Sequence, residues 1–279
     1  MRTVQEAPAI HRHLPLLSIV TVCFNSAATV AETLGSVDAA LSSVPAGEVE
    51  HLIIDGLSKD RTLEIVQLHP ASFRHVVSEN DTGIYNAMNK GLRLANGRYV
   101  WFLNSDDLLA PDAAAWMGSL LERLRTEGND VLIGEIRMFR DVLGRRLMTR
   151  AWRLPRHIGR ARRLGWHPPH PAFIAKRALL MHLGGFDERK RIAADFKLMI
   201  AAVDRAVGKV ERFGHIMTLM REGGTSNGSL RAVLKANLEC YAAHRELGRG
   251  RVGAGFGIVL KISRKALQKL SFSSRNVPA

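Results

Sequence analysis

Two adjacent carboxylates, Asp106 and Asp107, directly follow the large apolar residues of the stretch WFLNSDD. Asp55 and Asp81 follow earlier apolar runs in the same way. Carboxylates that collect without a local cation repel one another, and a bound divalent cation relieves that repulsion. Magnesium and manganese prefer such oxygen ligands and complete their coordination shells with phosphate oxygens. The four carboxylates therefore predict a site for Mn²⁺ or Mg²⁺ and a nucleoside diphosphate, although Asp107 or Asp112 would also suit a helix cap.

These carboxylates meet only if the surrounding chain forms a parallel sheet. Between residues 16 and 103, compact apolar runs alternate with segments of helical periodicity. The predicted strands are Leu17–Phe24, His51–Ile54, His75–Val77 and Tyr99–Leu103, and the predicted helices are Ala27–Leu41, Arg61–Leu68 and Ile84–Leu94. This alternation indicates an α/β fold with a mostly parallel central sheet flanked by helices, in which ligands bind beyond the carboxyl ends of the strands.

The rest of the chain continues as mixed helix and strand and ends in helices. Strands are predicted at Val131–Phe139, Arg146–Trp152, His170–Ala175 and Lys209–Met220, and helices at Pro111–Leu124, Ala193–Ala206 and Ser229–Leu247. The arginine-rich stretch up to Arg163 is expected to be a loop or short helix. We divide the chain into an N-terminal extension (1–15), a main domain (16–226) with two halves, 16–110 and 111–226, and a basic helical segment (227–279).

The formal net charge of +14 is concentrated in two regions. Ten basic residues and no acidic one lie between Asp141 and Asp187, and seven basic residues and no acidic one follow Glu246. Such regional charge indicates an anionic substrate or surface. In residues 256–270, apolar side chains share one helical face and cations the other. This pattern predicts either an interfacial helix on an anionic membrane or a helix packed on the domain.

Composition also indicates a compartment. Cys23 and Cys240 are too few for a disulfide framework, which fits a reducing environment. No apolar run reaches the roughly 20 residues of a membrane span. We therefore expect a cytoplasmic protein that is peripheral on the inner face of the cell membrane.

Several ordered motifs carry a family resemblance. They are TVCFNS, IIDGLSKDRT, ENDTGIYNAMNKGLRLANGRYVWFLNSDD, HPAFIAKRALLMHLGGFDERKRIAADFKLMI and REGGTSN. Together they resemble a family 2 glycosyltransferase with the GT-A fold, of the bacterial polysaccharide-biosynthesis type. Two positions depart from the family pattern: Met88 stands where the family often has Arg, and Ala194-Asp195 replaces a Glu-Asp pair.

The resemblance implies an inverting, metal-dependent transfer from a nucleoside-diphosphate sugar, chiefly a UDP-sugar, to a hydroxyl of a saccharide acceptor, with a lipid-linked saccharide as one candidate. It implies that Asp195 is the general base and that Asp107 holds the metal, although Asp195 would also suit a helix cap. The donor-binding residues that it implies are Thr21, Asn25, Asp55, Ser58, Asp81, Asn89, Lys90 and Asp106. It also implies that residues 16–226 are a catalytic domain, with a nucleotide-sugar-binding half (16–110) and an acceptor-side half (111–226).

Three further residues are candidates on the acceptor side. His170 is expected to contact the acceptor or the metal, and Trp166 to stack on a sugar ring; a satisfied loop histidine and a core tryptophan are the alternatives. Thr225 belongs to the segment Gly223–Ser226, which either closes over the donor or forms a simple turn.

Other functions fit less of the sequence. A nucleic-acid-binding protein would interleave aromatic residues with its cations, whereas the arginine-rich region offers only Trp152 and Trp166. We therefore expect no nucleic-acid partner. A nucleotidyltransferase would need a glycine-rich basic loop after the first strand, and CFNSAAT lacks one. A catalytically silent glycosyltransferase-like scaffold is a further alternative, against which Asp107 and Asp195 argue.

Overall fold

The computed structural model describes residues 14–126, 128–163, 166–206, 209–223 and 230–273. The strands are β1 (Leu17–Cys23), β2 (Val49–Asp55), β3 (Arg74–Ser78), β4 (Tyr99–Phe102), β5 (Leu108–Leu109), β6 (Asn129–Val142), β7 (Arg145–Trp152), β8 (Phe173–Lys176) and β9 (Lys209–Arg221). The helices are α1 (Val30–Leu41), α2 (Thr62–Gln67), α3 (Ile84–Leu94), α4 (Ala113–Arg125), α5 (Ile158–Arg163), α6 (Arg177–His182), α7 (Ala194–Arg205), α8 (Leu230–Glu246) and α9 (Arg251–Ser273).

All nine of these strands belong to one sheet, in which eight follow the order β3-β2-β1-β4-β8-β6-β9-β5 and β7 pairs with β6. Strands β1 to β4 are parallel, as predicted. The second half is mixed, because β8 runs antiparallel to both β4 and β6 while β9 runs parallel to β6. The α/β fold is confirmed, and its purely parallel part is the half that carries the predicted donor site.

The core lies on both faces of the sheet because successive strand residues point to opposite sides. In β4, Val100 and Phe102 pack into one apolar cluster beneath α3 and α7. Tyr99 and Trp101 pack into the other cluster, beneath α4. Trp101 is fully buried, and its indole N–H donates to the Pro171 carbonyl oxygen at 2.7 Å. The end of β4 is thereby fixed against the segment that carries His170.

Four elements differ from the predictions. The predicted strand His170–Ala175 begins as a 3₁₀ turn at His170–Ala172, since Pro171 has no N–H to give to a sheet ladder. The short elements α6 and β5 were not predicted, because an element of so few residues is too short to show a periodic pattern. The helix predicted within residues 256–270 is the longer α9.

Helices α8 and α9 pack on the α/β domain. An apolar cluster joins Phe196 and Ile200 of α7 to Cys240 and Ala243 of α8, and Ile258 of α9 packs against it. Helix α9 also contacts β7. Of the two alternatives for the basic helix, packing is therefore observed, and it uses the face that carries the fully buried Ala254.

Candidate active site

The loops after β1 and β2 are locked together by hydrogen bonds. Asp55 ends β2 with 1% of its surface exposed, and its carboxylate accepts bonds from the Ser58 N–H, the Ser58 hydroxyl and the Ser78 hydroxyl. Asn25 adopts a left-handed conformation with φ of 51°. Its side-chain oxygen accepts the Lys59 N–H at 2.9 Å, and its own N–H donates to Ser58 Oγ at 2.8 Å. Asp55 thus holds the shape of this edge and has almost no surface for direct contact with a donor.

Asp81 lies beside this edge, and a glycine makes room for it. A Cβ atom built on Gly56 would lie 2.3 Å from Asp81 Oδ2 and 3.4 Å from the Phe24 ring. The Phe24 side chain, which follows β1, is 59% exposed. An exposed aromatic ring next to a half-buried carboxylate suits a planar base with polar edges. The sequence interpretation missed Phe24, although a large aromatic residue just beyond a strand end was a usable signal.

The end of β4 reaches the same edge. Ser105 Oγ lies 2.8 Å from Ser26 Oγ in the loop after β1. Burial and the charge of Asp55 raise the pKa of the Cys23 thiol to about 12, while a hydrogen bond with Ser105 lowers it. The predicted meeting of the post-strand residues of β1, β2 and β4 therefore occurs.

Asp106 and Asp107 have different surroundings. Asp107 is 1% exposed, and its carboxylate accepts the Arg221 N–H at 3.0 Å and the Asn104 side-chain amide at 3.3 Å. Asp106 is half-buried, and among the described residues its carboxylate accepts no side-chain hydrogen bond. Asp106 therefore has the more accessible oxygens, whereas the sequence assigned the metal to Asp107.

Burial raises the pKa of both carboxyl groups, and the neighbouring Asp106 charge raises that of Asp107 further. Arg221 opposes these shifts only in part, because its guanidinium also pairs with Glu32 and Asp141 and lies over the Phe139 ring. The two carboxyl groups thus keep an uncompensated repulsion that a cation would relieve.

Asp195 lies in the first turn of α7. Its Oδ1 accepts the Tyr85 hydroxyl at 3.2 Å and the Phe196 N–H at 2.7 Å. Tyr85 is 7% exposed and stacks on Phe186 with ring centroids 5.7 Å apart. Burial and the Asp195 charge raise the pKa of Tyr85, so that its hydroxyl stays a neutral donor. Tyr85 was not among the predicted site residues.

His170 lies near both Asp195 and the end of β4. Its ring lies 6.2 Å from those of Phe102 and Phe186. Burial lowers the pKa of His170, and the charge of nearby Asp195 opposes that shift. Its buried Nε2 has no hydrogen-bond partner among the described residues. Because a buried polar atom is normally satisfied, this nitrogen suits contact with a bound molecule.

The start of α7 is held by the C-terminal segment. The Glu239 carboxylate of α8 accepts the N–H groups of Ile192 at 2.8 Å and Ala193 at 3.0 Å, directly before Asp195. A carboxylate at a helix N-terminus satisfies otherwise unpaired amides and is favoured by the helix dipole. Helix α8 therefore contributes to the position of Asp195, which the division of the chain by sequence did not predict.

Other predicted residues have structural roles or lie elsewhere. Thr21 is fully buried and bonds to His51, 2.9 Å away. The Asn89 side chain is used by the Phe186 backbone and Glu188, and Lys90 pairs with Glu79. Trp166 is 3% exposed in the apolar core, so that its ring has no face for a sugar. Thr225 lies outside the described residues.

No group of three or more His, Cys, Asp or Glu side chains is arranged around a common metal position in the described part of the chain. The donor set at the end of β4 still fits magnesium or manganese, since such ions use one or two carboxylates together with substrate phosphates and water. Asn104 Oδ1 is buried there without a partner among the described residues. Asp106, Asp107 and this amide oxygen provide hard oxygen ligands.

Comparison with known proteins identifies the family. The family model for glycosyl transferase family 2 matches residues 18–182. The chain belongs to glycosyltransferase family 2. An uncharacterized glycosyltransferase of Mycobacterium tuberculosis is 30% identical over 195 residues, 67% of this chain and 69% of the relative. A PGL/p-HBAD biosynthesis glycosyltransferase of Mycobacterium bovis is 28% identical over 222 residues, 76% of this chain and 80% of the relative.

Solved structures share the fold of this family 2 glycosyltransferase. S. aureus TarS 1–349 in complex with UDP-GlcNAc has a TM-score of 0.63 and 20% identity, covering 85% of this chain and 69% of that one. The mannosyltransferase PcManGT from Pyrobaculum calidifontis, in complex with GDP-Man and Mn²⁺, has a TM-score of 0.63 and 17% identity, with coverage of 96% and 77%. The predicted GT-A fold is confirmed. None of the described helices is both long and apolar enough to span a membrane.

Proposed function

We propose that the protein is an inverting, metal-dependent glycosyltransferase that moves a sugar from a UDP-sugar to a hydroxyl of a saccharide acceptor in surface polysaccharide synthesis. The observation that carries this proposal is the hydrogen bonding of the Asp195 carboxylate. Tyr85 and the Phe196 N–H hold one of its carboxylate oxygens, and the other has no hydrogen-bond partner among the described residues. An oriented carboxylate with one open oxygen is what a general base requires.

The proposed reaction is a single displacement at the anomeric carbon of the donor sugar. The acceptor hydroxyl oxygen forms a bond to the anomeric carbon, while the bond from that carbon to the donor phosphate breaks. The electron pair leaves with the nucleoside diphosphate, and the hydroxyl proton passes to the open oxygen of Asp195. A single displacement inverts the anomeric configuration. His170 lies beside Asp195 and provides a polar contact for the acceptor.

The donor occupies the edge formed by β1, β2 and β4. The exposed Phe24 ring offers a face to the uracil base, and Asp81 offers hydrogen-bond acceptors beside it. Asp106, Asp107 and Asn104 would hold Mn²⁺ or Mg²⁺, which supplies charge neutralisation for the departing diphosphate. Relatives of this fold bound to UDP-GlcNAc, and to GDP-Man with Mn²⁺, support this arrangement.

The proposal is tested by a donor panel. UDP- and GDP-sugars are incubated with the protein, with saccharide acceptors, and with Mn²⁺ or EDTA. Release of nucleoside diphosphate and the anomeric configuration of the product are then measured. We expect metal-dependent transfer from a UDP-sugar with inversion. A retained anomeric configuration would contradict the inverting mechanism. Equal turnover in Mn²⁺ and in EDTA would contradict the metal dependence.

Asp195→Asn separates catalysis from binding. Loss of a general base lowers kcat by about 10²- to 10⁴-fold, while donor affinity and melting temperature stay close to those of the wild type. The control is Asp112→Asn, because Asp112 also lies at a helix start but its side chain makes no capping bond. Near-normal turnover of Asp195→Asn would refute the role of Asp195.

We further propose that the enzyme is peripheral on the inner face of the cytoplasmic membrane, where it extends a lipid-linked saccharide. The support is a stripe on α9 opposite its packed face, in which Val252, Phe256, Val259 and Ile262 are 87%, 55%, 59% and 50% exposed. An exposed apolar stripe on a basic helix suits the interface of an anionic membrane.

Flotation with vesicles tests this location. Val252→Ser combined with Phe256→Ser should weaken binding to vesicles that contain phosphatidylglycerol. Leu143→Ser combined with Leu147→Ser should not, because these exposed residues belong to the β6–β7 hairpin. Equal binding of the two double variants would refute the role of α9.

A further inference from the structure

A cavity lies away from the candidate active site. Its volume is about 730 Å³, and its lining comes from α5, the last turns of α7 and the start of β9. Asp204 in this lining lies nine residues after Asp195 in α7, which corresponds to about 14 Å along the helix axis. The cavity is therefore separate from the donor and acceptor groups.

The lining of this cavity is strongly basic. Arg156, Arg160, Arg162 and Arg212 contribute to it, together with His157 and the single carboxylate of Asp204. Arg162 pairs with Asp204 at 2.5 Å. In the described ranges, Arg156, Arg160 and Arg212 form no ion pair, and all three are exposed. Asp204 is thus already neutralised by Arg162, and the guanidinium groups of the other three arginines have no carboxylate partner among the described residues.

A fifth arginine adds positive charge beside this cavity. Arg249 lies in the link between α8 and α9; burial and then the positive charge of Arg162 lower its pKa, and the charge of Asp204 opposes this shift. Among the residues that the structure describes, Arg249 forms no ion pair. A Cβ atom built on Gly257 in α9 would lie 3.6 Å from its Nη1, so that α9 packs beside it. A half-buried cation next to another cation is stabilised by an anion from outside the chain.

We propose that this cavity binds the phosphate of an anionic lipid headgroup. Guanidinium groups bind phosphate through paired, charge-assisted hydrogen bonds, and a volume of this size is ordinary for a small-molecule site. A lipid is the favoured source because α9 begins two residues after Arg249 and exposes its apolar stripe from Val252 onward. The lipid assignment rests on the proposed membrane location, but the phosphate site does not depend on glycosyl transfer.

The test compares two triple variants. Arg156→Gln, Arg160→Gln and Arg212→Gln together remove the unpaired charges of the cavity. The control removes the same charge with Arg137→Gln, Arg140→Gln and Arg145→Gln, three exposed arginines of β6 and β7. Inorganic phosphate is titrated calorimetrically at constant ionic strength, and flotation measures binding to phosphatidylcholine vesicles with and without phosphatidic acid. Thermal melting confirms that each variant is folded.

The cavity variant should bind inorganic phosphate and phosphatidic acid vesicles at least tenfold more weakly than the wild type, and the control should stay within twofold. Equal weakening of both variants would reveal a general charge effect and overturn the site. Loss of phosphate binding with unchanged vesicle binding would overturn the lipid assignment. Vesicle binding that depends on Phe256 but not on the cavity would overturn the cavity while leaving the membrane location intact. Donor turnover enters none of these measurements.

Discussion

The end of β2 differs from the end of β4 and the start of α7 in how its carboxylate is engaged. At the end of β2, Asp55 is fully buried and accepts hydrogen bonds from two serines. Among the described residues, Asp106 after β4 accepts no side-chain hydrogen bond, and Asp195 at the start of α7 has one oxygen without a partner. Hydrogen-bonded buried groups stabilise a fold, and groups with unused acceptor oxygens are available for ligands. We therefore predict that Asp55 shapes the site, whereas Asp106 and Asp195 contact ligands.

The largest effect expected from this difference, after that of Asp195→Asn, is that of Asp106→Asn. Asp106→Asn should lower metal-dependent turnover about a hundredfold, on the order of the loss expected for a disturbed metal site. The measurement is kcat as a function of Mn²⁺ concentration. Asp107→Asn should instead reduce turnover and thermal stability together, because its carboxylate accepts the Arg221 N–H. The same stability loss in both variants would remove the distinction between them.

Asp55→Asn should destabilise the fold by about 2 kcal/mol, since the new amide group meets hydrogen-bond donors at a buried site. Urea denaturation measures this free energy of unfolding. Asp112→Asn, on the exposed start of α4, should change it little. A stable Asp55→Asn protein with weak donor binding would contradict the structural role and return Asp55 to the direct donor contacts.

Glu239→Ala should lower kcat about tenfold, because it removes the acceptor for two amides before Asp195 and loosens the start of α7. Glu239→Gln keeps an acceptor oxygen and should recover part of the loss. The measurement is kcat with KM for the donor. Glu64→Ala, in an exposed ion pair of α2, is the control. Loss confined to donor KM would contradict this role.

Asp106 and Asp107 should also lower stability at neutral pH. Their pKa values are raised in the fold, so their stabilising contribution is present below the ordinary value of 3.8 and is lost as pH rises through the folded pKa. At neutral pH without metal, Asp106→Asn should therefore melt a few degrees higher than the wild type. The gap should close near pH 4 or when Mn²⁺ is added. A lower melting temperature at every pH would contradict the repulsion.

Tyr85→Phe should have the smallest effect, a severalfold decrease in kcat with unchanged donor KM. The variant removes the side-chain hydrogen bond to Asp195 and keeps the ring on Phe186. A kcat equal to that of the wild type would show that Tyr85 acts only through packing.

Much of the fold followed from local pattern. The alternation in β4 sends Val100 and Trp101 to opposite cores, and parallel strands bring their carboxyl ends to one edge. That was sufficient to predict the α/β architecture and the gathering of Asp55, Asp81, Asp106 and Asp107. Short elements such as β5 could not be predicted, because two residues are too few to show a periodic pattern.

The sequence by itself determined that carboxylates of this family 2 glycosyltransferase collect at the ends of its strands. Only the tertiary structure decided which of them keep an oxygen available for a ligand. Asp107 is bonded to a backbone 114 residues away, and the amides before Asp195 are bonded to Glu239, 46 and 47 residues away. The burial of Trp166 in the core was decided in the same way. Hydrogen bonds and burial depend on partners distant along the chain, and local periodicity contains no information about them.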